Sequence, residues 1–119
     1  MPRLLPAAVL TIALAATGCG SGDGGDGGKA VVLKTGEPIG MKSLKFHPDR
    51  VRVTAGREIT WHNDESIPHD VQADEGADFA SKTFVKGGTF SWTPASAGTV
   101  KYECTLHPGM EGTIDVVAK

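Results

Sequence analysis

Within Cys104-Thr105-Leu106-His107-Pro108-Gly109-Met110 the chain carries a thiol, an imidazole and a thioether. A second histidine stands upstream, in Ile67-Pro68-His69-Asp70-Val71. One thiolate, two imidazoles and one thioether make a distinctive donor set. Magnesium and calcium take oxygen ligands. Structural zinc takes Cys and His, and a thioether serves it poorly. A Cys-His-His set with a weak axial Met suits a copper ion that changes oxidation state. The thiolate and thioether are soft enough for Cu(I), and imidazole serves both states. The candidate ligands are therefore His69, Cys104, His107 and Met110, around one copper ion.

Taken singly, His107 reads as a surface histidine and Met110 as a core residue, and a lone C-x-x-H is weak evidence. The four donors in order, on a β-rich chain, carry the assignment. The loop is short enough to wrap one ion with little slack. Pro108 fixes φ and Gly109 permits φ > 0, so both help it turn. Pro68 stiffens the approach of His69. His47 and His62 lack such company. They read as a turn residue beside Pro48 and an outward-facing strand residue.

Short strands must position these ligands. Runs Ala30–Lys34, Leu44–Phe46, Val51–Thr54, Glu58–Asn63, Thr89–Thr93, Val100–Cys104 and Thr113–Val117 alternate or are rich in β-formers. A strand opening at Val71 fades by Asp74, and Thr83–Lys86 is a further short candidate. Val100, Tyr102 and Cys104 share one face of their strand, with Lys101 and Glu103 on the other. Residues 75–82 read as a loop with one helical turn. Met41, just after Gly36, Pro38 and Gly40, reads as a loop residue at an apolar rim or covering an edge. The 16 glycines and 7 prolines argue against a helical bundle. The fold class is all-β, a Greek-key sandwich of seven to eight strands. Trp61, Trp92, Phe46, Phe90 and Tyr102 are its expected core aromatics.

The chain of 119 residues holds one such domain, assigned to 30–119. Ahead of it, Arg3 precedes an apolar run from Leu4 to Ala16, shorter than the roughly 20 residues a spanning helix needs. A basic start, short apolar middle and small-residue exit read as a signal peptide over 1–18. The exit Ala16-Thr17-Gly18-Cys19 resembles the lipobox of bacterial lipoproteins, which implies a lipid on Cys19. Residues 20–28 contain only Gly, Ser and Asp, a composition for a flexible linker. The reading is a lipidated cysteine and linker over 19–29, a membrane anchor, and an extracytoplasmic location at the periplasm or cell surface. Cys19 and Cys104 each have a separate use, so no disulfide is expected between them. A free thiol in an oxidising compartment is protected by a bound metal.

The loop 104–110 is similar to the copper loop of the small blue copper proteins, the cupredoxins of the plastocyanin and amicyanin kind. Its C-x2-H-x2-M spacing most resembles that of the amicyanins. Pro48-Asp49-Arg50-Val51-Arg52-Val53-Thr54-Ala55-Gly56, Ile59-Thr60-Trp61-His62-Asn63, Pro68-His69-Asp70-Val71 and Gly109-Met110-Glu111-Gly112-Thr113-Ile114 resemble the family as well. The resemblance spans about residues 42 to 117. It implies a type 1 copper site, electron transfer without substrate turnover, and binding through Nδ1 of His69 and His107. The family commonly carries Asn directly after its first histidine ligand, where this chain has Asp70. The side chain of Asp70 is still able to accept a hydrogen bond from the Thr105 hydroxyl, and its charge would favour Cu(II).

A net charge of −2 gives no basic patch for nucleic acid. Residues 64–78 hold Asp64, Glu65, Asp70, Asp74, Glu75 and Asp78 with no Lys or Arg. This stretch is either a solvated loop region or an acidic docking face for a basic partner. The expected partners are transient redox proteins, met by a monomer through an apolar patch of Ile67, Pro68, Leu106 and Pro108. The alternative reading is a copper-binding module for delivery or buffering. No enzymatic role is expected, because no acidic group orients His107 as a base for Cys104.

Overall fold

The computed structural model describes residues 29–119. The expected signal peptide, the lipobox cysteine Cys19 and the Gly-rich linker up to 28 lie outside the described residues. Alternation of apolar and polar residues builds nine strands: β1 (Val31–Val32), β2 (Ile39–Lys42), β3 (Lys45–His47), β4 (Arg50–Thr54), β5 (Ile59–Asn63), β6 (Gln72–Glu75), β7 (Thr89–Trp92), β8 (Gly98–Glu103) and β9 (Glu111–Val117). They form an all-β sandwich. One sheet has the order β1-β4-β9-β8-β6, the other β3-β2-β5-β7. There is no helix among the described residues.

Inward residues of one sheet are Val51, Val53, Val100, Tyr102, Ile114 and Val116. Those of the other are Ile39, Met41, Phe46, Ile59 and Trp61, and all are buried. Trp61 is the centre of the core. It packs edge-on to Tyr102 at 5.3 Å and tilted against Phe79 and Phe90 at 5.6 and 5.7 Å. Each such pair contributes about 0.5–1.5 kcal/mol beyond its buried area. Of the five expected core aromatics, Trp61, Phe46 and Tyr102 are fully buried, while Phe90 and Trp92 are half-buried.

Four expectations are corrected. There are nine strands rather than seven or eight, because Ile39–Lys42 is a strand despite Pro38 and Gly40. Met41 therefore lies on no rim: it faces the core at 0% exposure. A Cβ at Gly40 would stand 2.7 Å from the Asp64 carboxylate, which would have to swing aside. The segment 75–82 makes no helical turn. Its backbone instead pairs with the strand before it, Ala73 N–H donating to Phe79 O at 2.9 Å and Ser81 N–H to Val71 O at 2.8 Å. Thr83–Lys86 reduces to a single bridge between Phe84 and His69.

One end of the sandwich gathers the connections that matter chemically. The β2–β3 turn, the segment following β5, the turn at 85–88 and the β8–β9 loop all meet there. Backbone bonds sew them together: Asp64 N–H to Met41 O at 3.0 Å, and Asn63 N–H to Gly88 O at 3.0 Å with Gly87 N–H to Asn63 O at 2.9 Å.

Candidate metal centre

Cys104 follows the last residue of β8 and continues its inward face, so the thiol is 2% exposed. The loop back to β9 closes on itself. Cys104 N–H donates to Met110 O at 2.9 Å, and Met110 N–H donates to His107 O at 3.1 Å. Gly109 sits at φ 87°, a left-handed value that a side chain would strain. This tight closure sends His107 up to a half-exposed position and buries Met110 at 1% exposure beneath the loop.

His69 arrives from the other side. It exchanges two backbone hydrogen bonds with Phe84, at 3.1 and 2.8 Å, and is fully buried. Asn63, also buried, braces the loop before it. Its amide donates to Ile67 O at 2.9 Å and Phe84 O at 3.1 Å, and its oxygen accepts from Glu65 N–H at 3.0 Å.

The donors meet. Cys104 Sγ lies 3.6 Å from His69 Nδ1. The rings of His69 and His107 stand 4.9 Å apart at 70°. One donor atom from each of His69, Cys104 and His107 falls within 4.8 Å of the others. Metal bonds of about 2.0–2.3 Å would bring donors on one ion to roughly 4 Å or less of one another, so the three groups would need only a small contraction to hold one ion.

The outer contacts orient both rings. His69 Nε2 bonds Glu65 Oε1 at 2.6 Å. Glu65 also accepts backbone N–H bonds from Ser43 and Leu44 at 2.9 and 3.1 Å. Partial burial pushes the Glu65 carboxyl up, but the His69 bond and the two N–H groups outweigh it, and the net direction is down. An ionised Glu65 only accepts, so His69 Nε2 carries the hydrogen and Nδ1 presents its lone pair toward Cys104. His107 Nε2 bonds Pro68 O at 3.1 Å. A carbonyl also only accepts, so the same logic frees Nδ1 of His107.

Burial pushes the Cys104 thiol up, and the backbone N–H groups of Asp70 and Leu106 oppose it as hydrogen-bond donors to sulfur; the Asp70 charge adds to the rise. A bound cation reverses that balance, since a coordinating thiol is deprotonated. Asp70 ties the two ligand segments: its carboxylate accepts Thr105 N–H at 2.6 Å and the Thr105 hydroxyl. Nitrogen and sulfur donors at this spacing, two of them buried and with no carboxylate oxygen among the grouped atoms, fit copper by donor softness.

The family model for copper binding proteins, plastocyanin/azurin family, matches residues 32–117. The chain belongs to this copper-binding family. Its cofactor is one copper ion. Amicyanin-alpha of Methylorubrum extorquens is 33% identical over 82 residues, which cover 66% of this chain and 69% of that protein. A plastocyanin of Scenedesmus fuscus is 34% identical over 98 residues, covering 72% of this chain and 98% of the relative. The solved structure of an oxidized amicyanin mutant superposes with a TM-score of 0.63 at 30% identity, covering 66% of this chain and 79% of that one.

The structure thus brings together His69, Cys104 and His107, with Met110 buried in the same turn. His47 and His62 lie elsewhere: His47 Nε2 meets Lys42 O at 2.9 Å, and His62 Nδ1 meets Asp64 Oδ1 at 2.5 Å. Sequence reasoning missed Glu65 and Asn63. Asn63 carried a signal, as a polar residue on the inward face shared by Ile59 and Trp61; Glu65, in an acidic loop, carried none.

Proposed function

We propose that this domain is an electron carrier whose copper ion is held by His69, Cys104, His107 and Met110 and cycles between Cu(II) and Cu(I). The observation that carries the reading is the convergence of one thiol and two imidazole rings at the end of a stiff sandwich. Copper supplies the one-electron couple. The chain supplies everything that holds its surroundings still. Glu65 and Pro68 O fix the two imidazole rings. Asp70 and Leu106 N–H groups stabilise charge on sulfur. The Asp70–Thr105 bonds keep the two ligand segments from parting. Groups held this way move little when charge changes, so little reorganisation opposes electron exchange.

His107 is the exchange point. Unlike His69 it is only half-buried, and exposed Ile67, Pro68, Leu106 and Pro108 surround it. A small apolar surface of this kind suits brief redox encounters. The division into a signal peptide over 1–18, a lipidated Cys19 with its linker, and a copper domain from 30 belongs to the same proposal. It makes the carrier a monomeric, extracytoplasmic protein anchored to a membrane.

Voltammetry of the copper-loaded full chain tests this reading. A reversible one-electron wave, with the copper retained through repeated cycles, is expected. Rapid loss of copper to a chelator with no reversible wave would instead make the domain a delivery module.

A further inference from the structure

The register of the first strand says from which end the tether reaches the domain. Val31 pairs with Val51 in the parallel β1–β4 pair, Val51 with Ile114 in the parallel β4–β9 pair, and Ile114 with Val100 in the antiparallel β9–β8 pair. These four residues form one row across the sheet. From that row, Cys104 lies four residues further along β8 and Met110 four residues back along β9. Because β1 runs parallel to β9, the chain ahead of Val31 also comes from the Met110 side. Lys29 and Ala30 therefore lie toward the copper end, not toward the far end where Gly56 N–H bonds Pro94 O. Four residues along a strand and three strand spacings across the sheet put Cys104 roughly 20 Å from Val31.

We propose that the tethered domain carries its copper end toward the membrane, and that the rim there serves redox proteins held in that same membrane. The inference rests on the lipidated-Cys19 reading. Lys29 stands ten positions after Cys19, a reach of at most about 35 Å. A tether joined at the far end would add the length of the sandwich, roughly 20 Å along β8 alone. Joined at the copper end, it keeps the electron port near the bilayer and limits what a freely diffusing partner is able to approach.

The rim has the makings of a protein contact. Leu44, Ile67, Val85 and Leu106 are 42%, 37%, 61% and 45% exposed there. The bilayer itself is the poorer occupant. Beside the loop, strand pairing sets Glu103 between Gln72 of β6 and Glu111 of β9, so Glu103 and Glu111 stand side by side with Asp70 and Asp74 close by in sequence to Gln72, and anionic lipid would repel this acidic flank.

The test uses the lipid-modified, copper-loaded full chain in vesicles. A fluorophore is placed by Ser66→Cys at the copper end or by Ser96→Cys at the far end. Energy transfer to an acceptor on lipid headgroups is then compared. Stronger transfer from position 66 than from position 96, with no quenching of either label by spin labels in the acyl chains, is the expected result. Equal or stronger transfer from position 96 would overturn the orientation. Acyl-chain quenching at position 66 would make the bilayer the occupant and overturn the partner. Mass analysis of Cys19 separates the two layers: protein without lipid that stays in the aqueous phase overturns the tether reading, and this inference with it.

Discussion

Asp70 follows His69 directly, gives its backbone N–H to the Cys104 sulfur and accepts two hydrogen bonds from Thr105. Its carboxylate donates none of these side-chain bonds, so it brings negative charge close to the thiolate. After the discount that partial exposure of Asp70 requires, one such charge beside the site is worth about 1 kcal/mol. Asp70→Asn keeps the backbone bond and removes the charge, so the reduction potential rises by roughly 40 mV for one electron. Voltammetry of the two proteins checks it, and an unchanged or lower potential contradicts the argument. At this scale much was legible. Cys104, His107, Met110 and His69 stand out because soft donors at short spacing have few other uses. The Asp70–Thr105 bond was legible too, since both side chains are short and complementary. Glu65 was not, because an acidic residue in an acidic loop looks like a solvated charge. Only the fold shows that its carboxylate turns inward to His69 and the β2–β3 turn.

Close approach between β8 and β9 shapes the site as much as any ligand. Tyr102 pairs directly with Gly112, and its ring lies over that glycine: a Cβ at Gly112 would stand 2.2 Å from Tyr102 Cζ. Tyr102 is two residues from Cys104, so displacing the ring also disturbs the strand end that carries the thiol. Gly112→Ala is expected to cost about 3 kcal/mol, a fall in melting temperature of roughly 15 °C for a domain of this size. Thermal unfolding followed by circular dichroism measures it, and a shift of only a few degrees would show that the ring has room to move. The strands with clean alternation, β4, β5, β7, β8 and β9, were readable because one face of each is buried. β2 was hidden. Its Gly40 answers to the Asp64 carboxylate beside it rather than to a turn, and Pro38 stands just ahead of its first residue. Conversely, Thr83–Lys86 has strand composition, but only Phe84 finds a partner.

The charge pattern of the whole domain differs from the one the linear sequence suggests. Within the acidic run 64–78, Asp64 pairs with His62 and Glu65 with His69. Asp70 and Asp74 instead join Glu103 and Glu111, brought in from β8 and β9, to make an acidic flank beside the copper loop. Such a flank attracts a basic partner over a screening length of about 10 Å at 0.1 M salt. Electron exchange with a basic redox protein should therefore slow as ionic strength rises, which stopped-flow mixing reads directly; a rate indifferent to salt would leave the flank as ordinary solvated surface. The central claim, that Cys104 binds copper as a thiolate together with two imidazoles, has a more direct test. It is the visible absorption spectrum of the copper-loaded full chain, recorded beside that of Cys104→Ala. An intense blue-colour band is expected in the first and its complete loss in the second. A weak band, or one that survives the substitution, would contradict it.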